Sequence, residues 1–306
     1  DPEEEDSYRT HLLNNTPFTD LLIGIESPSG ATADISYKLS SQYFDDTGVL
    51  LNPNLPFLIT TVSEITTDDG FGNEATQSYT YAEGSYYFNN SHDRKFAGFG
   101  LVTTTDAVGN VTKTYYHQGN TTNTSLGEYS DHISKAGKAY RVEEYNDSDD
   151  LYHVTVNKWD KYNIGTDHDF VKLIRSTNIA LDGDADHKDT STEYTYDNAN
   201  GNLLTKVDWG DVTASANGNF TDAGSDKSTE TITYASNTGA HIVGLPSQTT
   251  TTDQSSNKVR ETKYFYDNQT AGNVNDGNLT KEQRWEVSTT YQTWEKSYNA
   301  NGTVAT

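Results

Sequence analysis

The chain has 306 residues, a formal net charge of −24 at pH 7 and a pI near 4.5. This charge opposes nucleic-acid binding, because phosphate contacts need clustered Lys and Arg, and no apolar run approaches the roughly 18 residues of a spanning helix. The absence of cysteine excludes disulfides and thiolate chemistry, while 21 Tyr, 10 Phe and 4 Trp oppose disorder, since disordered chains are poor in aromatics.

Short runs of alternating apolar and polar residues follow one another along the chain, and long helical periodicity is absent. Examples in chain order are ISYKL (35–39), STEYTYD (191–197) and LLTKVDW (203–209). Each run places its apolar side chains on one face of a strand. Between the runs lie dipeptides that favour the positive φ angles of tight hairpin turns, namely Asp69-Gly70, Asp182-Gly183, Asn200-Gly201, Asn217-Gly218, Asp276-Gly277 and Asn301-Gly302. The chain is therefore predicted to be all-β, with its strands joined by hairpins.

A degenerate repeat occurs in the second half of the chain. In each copy a tyrosine precedes a glycine that leads into a returning strand, and the four tyrosines recur at intervals of 38, 32 and 32 residues. The residues that carry this pattern are Tyr196, Asp197, Gly201, Tyr234, Gly239, Tyr266, Asp267, Gly277, Tyr298 and Gly302. A looser copy is TTDAVGNVTKTYY at residues 104–116.

Each part of the repeat has a physical role in a hairpin. The tyrosine ends a strand on its buried face, and the Asp or Asn that follows caps the turn with its side chain. The glycine takes the left-handed conformation, and the next apolar residue begins the returning strand. A lone hairpin is barely stable in water, so many hairpins must stack side by side. The predicted fold is a long curved ribbon of antiparallel hairpins.

These residues resemble the YD repeats of rearrangement-hot-spot (RHS) proteins. HIVGLPSQTTTT (241–252) is similar to the segment that joins such repeats. Upstream, residues 65–88 and the block DRKFAGFG within residues 93–119 resemble the region before the repeats in the B components of bacterial insecticidal toxin complexes and related virulence proteins. The resemblance divides one continuous strip into a degenerate pre-repeat part, residues 1–178, and a YD-repeat part, residues 179–306.

The resemblance implies a non-enzymatic structural protein: a segment of an exported β-shell, extracellular or at the cell surface, that encloses or displays a polypeptide cargo such as a toxin. Its implied partners are the remainder of its own parent chain or the enclosed cargo, with no nucleic acid and no membrane insertion. Since the sequence begins at Asp1 and contains no methionine, we expect a piece of a longer polypeptide. The alternative is a cell-surface adhesion module that binds carbohydrate or protein through exposed aromatics.

An acidic segment has the spacing of a calcium-binding loop. Asp182, Asp184, Asp186 and Glu193 occupy its positions 1, 3, 5 and 12, where carboxylate oxygens surround Ca²⁺. His187 stands at the sixth position, where such loops need Gly for a sharp turn. A solvated acidic hairpin tip is the simpler interpretation. If this segment binds a ligand, the ligand is Ca²⁺, and the sequence predicts no other cofactor.

The remaining residues with chemical potential form no catalytic motif. The eight histidines show no HExxH and no close His-x-His pair, so the sequence does not support a zinc site. The four tryptophans, at positions 159, 209, 285 and 294, lie in strand-like runs where a large ring packs across its neighbours. A pair of acids for glycoside hydrolysis cannot be identified from spacing alone. We predict that the chain is not an enzyme.

Overall fold

The computed structural model describes residues 20–164, 168–183 and 187–305. The chain divides into two compact units, Asp1–Lys113 and Thr114–Thr306. Regular structure is almost entirely β-strand, and the described helices are single 3-10 turns of three residues. Within those described ranges no helix is long and apolar enough to cross a membrane.

The first unit is built from antiparallel strands that pair mostly with their neighbours in sequence. Strands β1 to β4 pair in chain order, β4 then pairs with β7, and β5 and β6 form a separate hairpin. Their bounds are Gly24–Glu26 (β1), Thr32–Leu39 (β2), Thr60–Asp68 (β3), Glu74–Ala82 (β4), Ser85–Phe88 (β5), Arg94–Gly98 (β6) and Leu101–Thr105 (β7). A further strand, Val111–Tyr116 (β8), contains the boundary between the units.

Aromatic rings form the interior of the first unit. Tyr43 contacts Tyr81, Tyr81 contacts Phe99, and Phe99 contacts Phe96, with ring centroids 5.0 to 5.6 Å apart. Such edge-to-face and tilted contacts each add about 0.5–1.5 kcal/mol beyond the burial of area. The Tyr43 hydroxyl lies 2.7 Å from the Thr61 hydroxyl, so the polar end of this buried ring also has a partner.

The second unit is a meander in which consecutive strands form antiparallel pairs. Strands β9 to β13 pair in order, β13 pairs with both β14 and β15, and β15 to β19 again pair in order. Their bounds are Ala139–Tyr145 (β9), Leu151–Ile164 (β10), His168–Ala180 (β11), Lys188–Tyr196 (β12), Leu203–Ala214 (β13), Phe220–Asp222 (β14), Ser228–Asn237 (β15), Ile242–Thr252 (β16), Lys258–Tyr266 (β17), Leu279–Val287 (β18) and Thr290–Glu295 (β19).

Small apolar clusters and buried polar pairs share the interior of the second unit. One cluster is formed by Val154, Val156 and Ile179, and a second by Ala235, Tyr266 and Val274. Between strands, buried hydroxyls replace apolar packing, as in the pair Thr177 and Ser191, whose oxygens are 3.1 Å apart. Because these groups satisfy one another, their burial does not carry the penalty of an unpaired polar group.

The predicted all-β architecture of antiparallel hairpins is confirmed in both units. All six glycines of the predicted turn dipeptides have positive φ, between 75° and 95°. The turns at Asp69, Ser215 and Asn299 are longer than two residues, because the N–H of each of these residues donates to the carbonyl four positions later. The predicted division after residue 178 falls inside β11 and stays a prediction.

Candidate functional site

The four repeat tyrosines share one contact. Each donates its hydroxyl to a backbone carbonyl of an earlier strand, at 2.8 to 3.0 Å. Burial raises the pKa of Tyr196, Tyr234 and Tyr266, which keeps these hydroxyls protonated and able to donate. The donor and acceptor pairs are Tyr196 with Leu173, Tyr234 with Leu203, Tyr266 with Pro246 and Tyr298 with Leu279.

The repeat aspartates organise the turns that follow their tyrosines. Asp197 Oδ1 accepts the N–H of Ala199 at 2.8 Å. Asp267 does more, because its carboxylate accepts four backbone N–H groups, those of residues 275 to 278, at 2.8 to 3.0 Å. Burial alone would raise the pKa of Asp267, but these four donors hold its pKa below the ordinary value. The charged form of Asp267 is therefore the one that fastens this loop.

Three of the four repeat glycines take the left-handed conformation expected of them. The φ angles are 83° at Gly201, 95° at Gly277 and 80° at Gly302. The expectation for Gly239 is wrong, because this residue lies in the 3-10 turn Thr238–Ala240 and has no positive φ. The Asn237 side chain accepts the Ala240 N–H at 3.2 Å and fixes that turn, so the left-handed position moves to His241, with φ 57°.

Aspartates at other hairpin tips also cap their turns by accepting backbone N–H groups. Asp45, Asp69 and Asp106 each direct Oδ1 at the N–H groups two and four residues later, at 2.8 to 3.2 Å. Hydrogen bonds from the turn lower the pKa of all three carboxyls. These acids therefore stabilise the hairpin tips.

The calcium loop remains a prediction. Asp184 and Asp186 lie outside the described residues. Asp182 is exposed in the turn after β11, with φ 49°. Glu193 lies within β12, five residues beyond its first residue, and strand geometry places it about 17 Å along the strand from there. Its carboxylate accepts the indole N–H of Trp209 at 3.1 Å.

A loop between β8 and β9, residues 117–138, contains His117 and Lys135, and neither residue has any exposed surface. Backbone hydrogen bonds close the loop, since the His117 N–H donates to Lys138 O and the Gly137 N–H donates to His117 O, both at 3.0 Å. Lys135 Nζ donates to three carbonyls, those of Tyr129, Ser130 and Trp159, at 2.7 to 3.0 Å. The ammonium group thus ties the loop to β10.

His117 lies against two buried carboxylates. Its Nδ1 is 3.0 Å from Asp131 Oδ1 and 3.7 Å from Glu128 Oε1, and both carboxylate side chains are at most 2% exposed. Burial would lower the pKa of His117, but the two carboxylates outweigh it and raise that pKa above the ordinary value. The three side chains offer ligand atoms within 4.8 Å of one another, an arrangement that could hold a metal ion.

The outer oxygens of these carboxylates are held by the backbone of the loop. Asp131 Oδ2 accepts the N–H groups of residues 118, 119 and 120, at 2.7 to 3.1 Å. Glu128 Oε2 accepts those of residues 122 and 123, at 2.7 and 2.8 Å. Because each carboxylate is fixed by several donors, its other oxygen keeps a defined orientation toward His117.

A second buried group of charges lies next to this loop on β9. Arg141 Nε donates to Glu143 Oε1 at 2.6 Å, and Glu143 Oε2 accepts the hydroxyls of Tyr115 and Tyr145, both at 3.0 Å. Burial, together with the neighbouring Glu143, raises the pKa of Tyr145 to about 12. Arg141 also donates to the Ala216 carbonyl at 2.6 Å, which links β9 to the turn after β13.

Sequence reasoning missed the cluster of His117, Glu128 and Asp131. The three residues are separated by 10 and 2 intervening positions, a spacing that matches no metal or catalytic motif. Their meeting depends on the closure of the loop through its own backbone and on Lys135. The predicted residues of the repeat, by contrast, lie in the hairpins that the pattern had indicated.

Comparison with known proteins gives a family match for part of the chain. Residues 11–125 match the model of the insecticide toxin TcdB middle/N-terminal region. A search of curated protein sequences found no match.

Two solved structures share the fold. A structure titled "Crystal Structure of TcdB2-TccC3-Cdc42" aligns with a TM-score of 0.64 at 15% identity, over 84% of this chain and 18% of the other. A structure of TcdB2-TccC3 without its hypervariable C-terminal region gives a TM-score of 0.61 at 16% identity, over 84% of this chain and 17% of the other. This chain therefore spans less than a fifth of those chains. The predicted resemblance to insecticidal toxin B components is confirmed, by sequence over residues 11–125 and by fold over most of the chain.

Proposed function

We propose that this chain is a structural, non-enzymatic segment of an RHS-type shell that encloses or displays a polypeptide cargo such as a toxin. Its partners are the remainder of a longer polypeptide and the cargo, and its place of action is outside the producing cell or at the cell surface. The observation that carries the proposal is the shared fold with TcdB2 in its complex with TccC3.

The second unit is built as an extended antiparallel sheet with little apolar core, which supports a role as part of a shell. Its strands pair edge to edge in chain order, and tyrosine hydroxyls and aspartate-capped turns fasten each hairpin to the one before. Most strand residues are half-buried, and the two apolar clusters are small. A sheet held together along its own plane in this way does not need a thick apolar core.

The test uses the absence of cysteine from this chain. Adjacent residues of a strand point to opposite faces of the sheet, and Gln292 and Thr293 of β19 are both exposed. Gln292→Cys and Thr293→Cys are introduced singly into the longer polypeptide and, as a control, into this chain alone. The reagent is a maleimide carrying a polyethylene glycol chain too large to enter a closed shell.

In the longer polypeptide we expect one variant to react much more slowly than the other, and in this chain alone we expect similar rates. Unfolding in urea should make the two rates equal in both proteins. Equal rates in the folded longer polypeptide would overturn enclosure, because both faces would then be open to solvent.

A further inference from the structure

We propose that His117, Glu128 and Asp131 form a binding site for a divalent transition-metal ion, with Zn²⁺ as the fitting ion. One imidazole nitrogen and two carboxylate oxygens are ligands that zinc accepts in proteins, whereas calcium and magnesium prefer oxygen alone. The site lies in the second unit and is independent of the proposed shell function.

The distances between the ligand atoms fit a zinc ion. Zinc bonds of about 2.0–2.2 Å in tetrahedral geometry place neighbouring ligand atoms about 3.4 Å apart. His117 Nδ1 lies 3.0 Å from Asp131 Oδ1 and 3.7 Å from Glu128 Oε1, on either side of that value. Adjustments of a few tenths of an ångström would bring these two distances to the value for zinc, the carboxylate oxygens lie within 4.8 Å of each other, and a water molecule would supply the fourth ligand.

The hydrogen bonding of His117 gives a second, independent reason. The imidazole has no exposed surface, and neither of its ring nitrogens makes a hydrogen bond. Nδ1 is close to the Asp131 oxygen without the alignment of a donor and its acceptor. Two ligands of one metal ion stand in this relation, because both point to the ion and not to each other. An ion at Nδ1 would supply a partner for that nitrogen alone, and an unpaired buried nitrogen is costly.

The surroundings of the carboxylates match those of a metal site. Five backbone N–H groups hold the outer oxygens of Asp131 and Glu128, and Asp131 Oδ1, which faces His117, also accepts the His132 N–H at 2.7 Å. A carboxylate oxygen has two lone pairs, so Asp131 Oδ1 keeps one for an ion. Such outer contacts fix the orientation of metal ligands. Lys135, a buried cation of the same loop, directs its ammonium group at three carbonyls. Two buried carboxylates around one imidazole also present a negative charge that a divalent cation would neutralise.

The experiment measures zinc binding to the full 306-residue chain. The protein is treated with a chelator, dialysed into metal-free buffer and titrated with ZnCl₂ by calorimetry, and bound zinc is counted by mass spectrometry after desalting. We expect one tightly bound zinc ion per chain and a higher midpoint of thermal unfolding in its presence. His117→Gln should weaken binding at least about tenfold, in line with the loss of one metal contact.

Two further variants make the result decisive. His153→Gln is the matched control, because His153 Nδ1 lies 3.2 Å from the single carboxylate of Glu144 at a partly exposed position, and it should leave zinc binding unchanged. Glu128→Gln keeps an amide oxygen for the N–H groups of residues 122 and 123, so it should fold even if His117→Gln does not, and it should also weaken binding. Failure of the folded wild-type chain to bind zinc would overturn the proposal, as would equal binding by Glu128→Gln and His153→Gln.

Discussion

The hydroxyl of Tyr266 should contribute measurably to the stability of the second unit. Tyr266 is 6% exposed, ends β17 and donates to the Pro246 carbonyl of β16 at 2.8 Å. Tyr266→Phe keeps the ring in its cluster with Ala235 and Val274 and removes only this bond. A net hydrogen bond is worth about 0.5–1.5 kcal/mol, so we expect a destabilisation of about 1 kcal/mol.

The control lies on the same strand. Tyr264 is two residues earlier and therefore on the same face of β17, and its hydroxyl has no hydrogen bond to another described residue. Tyr264→Phe should change the free energy of unfolding by less than about 0.5 kcal/mol. The two variants differ from the wild type by one oxygen atom each, which isolates the effect of the hydrogen bond.

The assay is urea unfolding followed by tryptophan fluorescence. All four tryptophans lie in the second unit, so the signal reports on residues 114–306. The midpoint of Tyr266→Phe should fall while the slope with denaturant stays constant, since the area exposed on unfolding is nearly the same. Equal midpoints for the two variants would refute the idea that repeat tyrosines fasten each hairpin through their hydroxyls.

Three further outcomes are expected. Gly201→Ala should destabilise the second unit by about 1–2 kcal/mol in the same assay, because φ is 83° and the new Cβ would lie 3.1 Å from the Phe170 ring. Gly239→Ala should be nearly neutral, because Gly239 has no positive φ. Equal effects of the two substitutions would contradict the turn geometry. Lys135→Met leaves three carbonyls without their donor and should lower stability by at least about 3 kcal/mol in thermal unfolding. The pKa of the Asp267 carboxyl is lowered in the folded state, so the stability it contributes is present above the unfolded pKa and is lost as pH falls through the folded pKa. The difference in unfolding free energy between the wild type and Asp267→Asn should therefore narrow below about pH 4. A difference that stays constant with pH in urea titrations would contradict this role of the carboxylate.

Local sequence predicted the glycine conformation correctly in some turns and incorrectly in another. Gly201 and Gly277 follow an Asx residue and take the left-handed conformation, as their dipeptides predicted. Gly239 fits the same repeat by spacing, yet the Asn237 side chain closes a 3-10 turn around it and His241 takes the left-handed position. The deciding interaction in that turn is a side-chain cap, which competes with the conformational preference of a single glycine.

The sequence by itself determined the all-β class, the hairpin connections and the tyrosine repeat, because these depend on alternation and turn residues within a few positions of one another. The tertiary structure alone decided which carbonyl each tyrosine reaches and how His117, Glu128 and Asp131 meet. Those contacts join residues that share no periodic pattern, since they arise from strand register and from the closure of a loop through its own backbone. A single sequence carries no local signal for contacts of that kind.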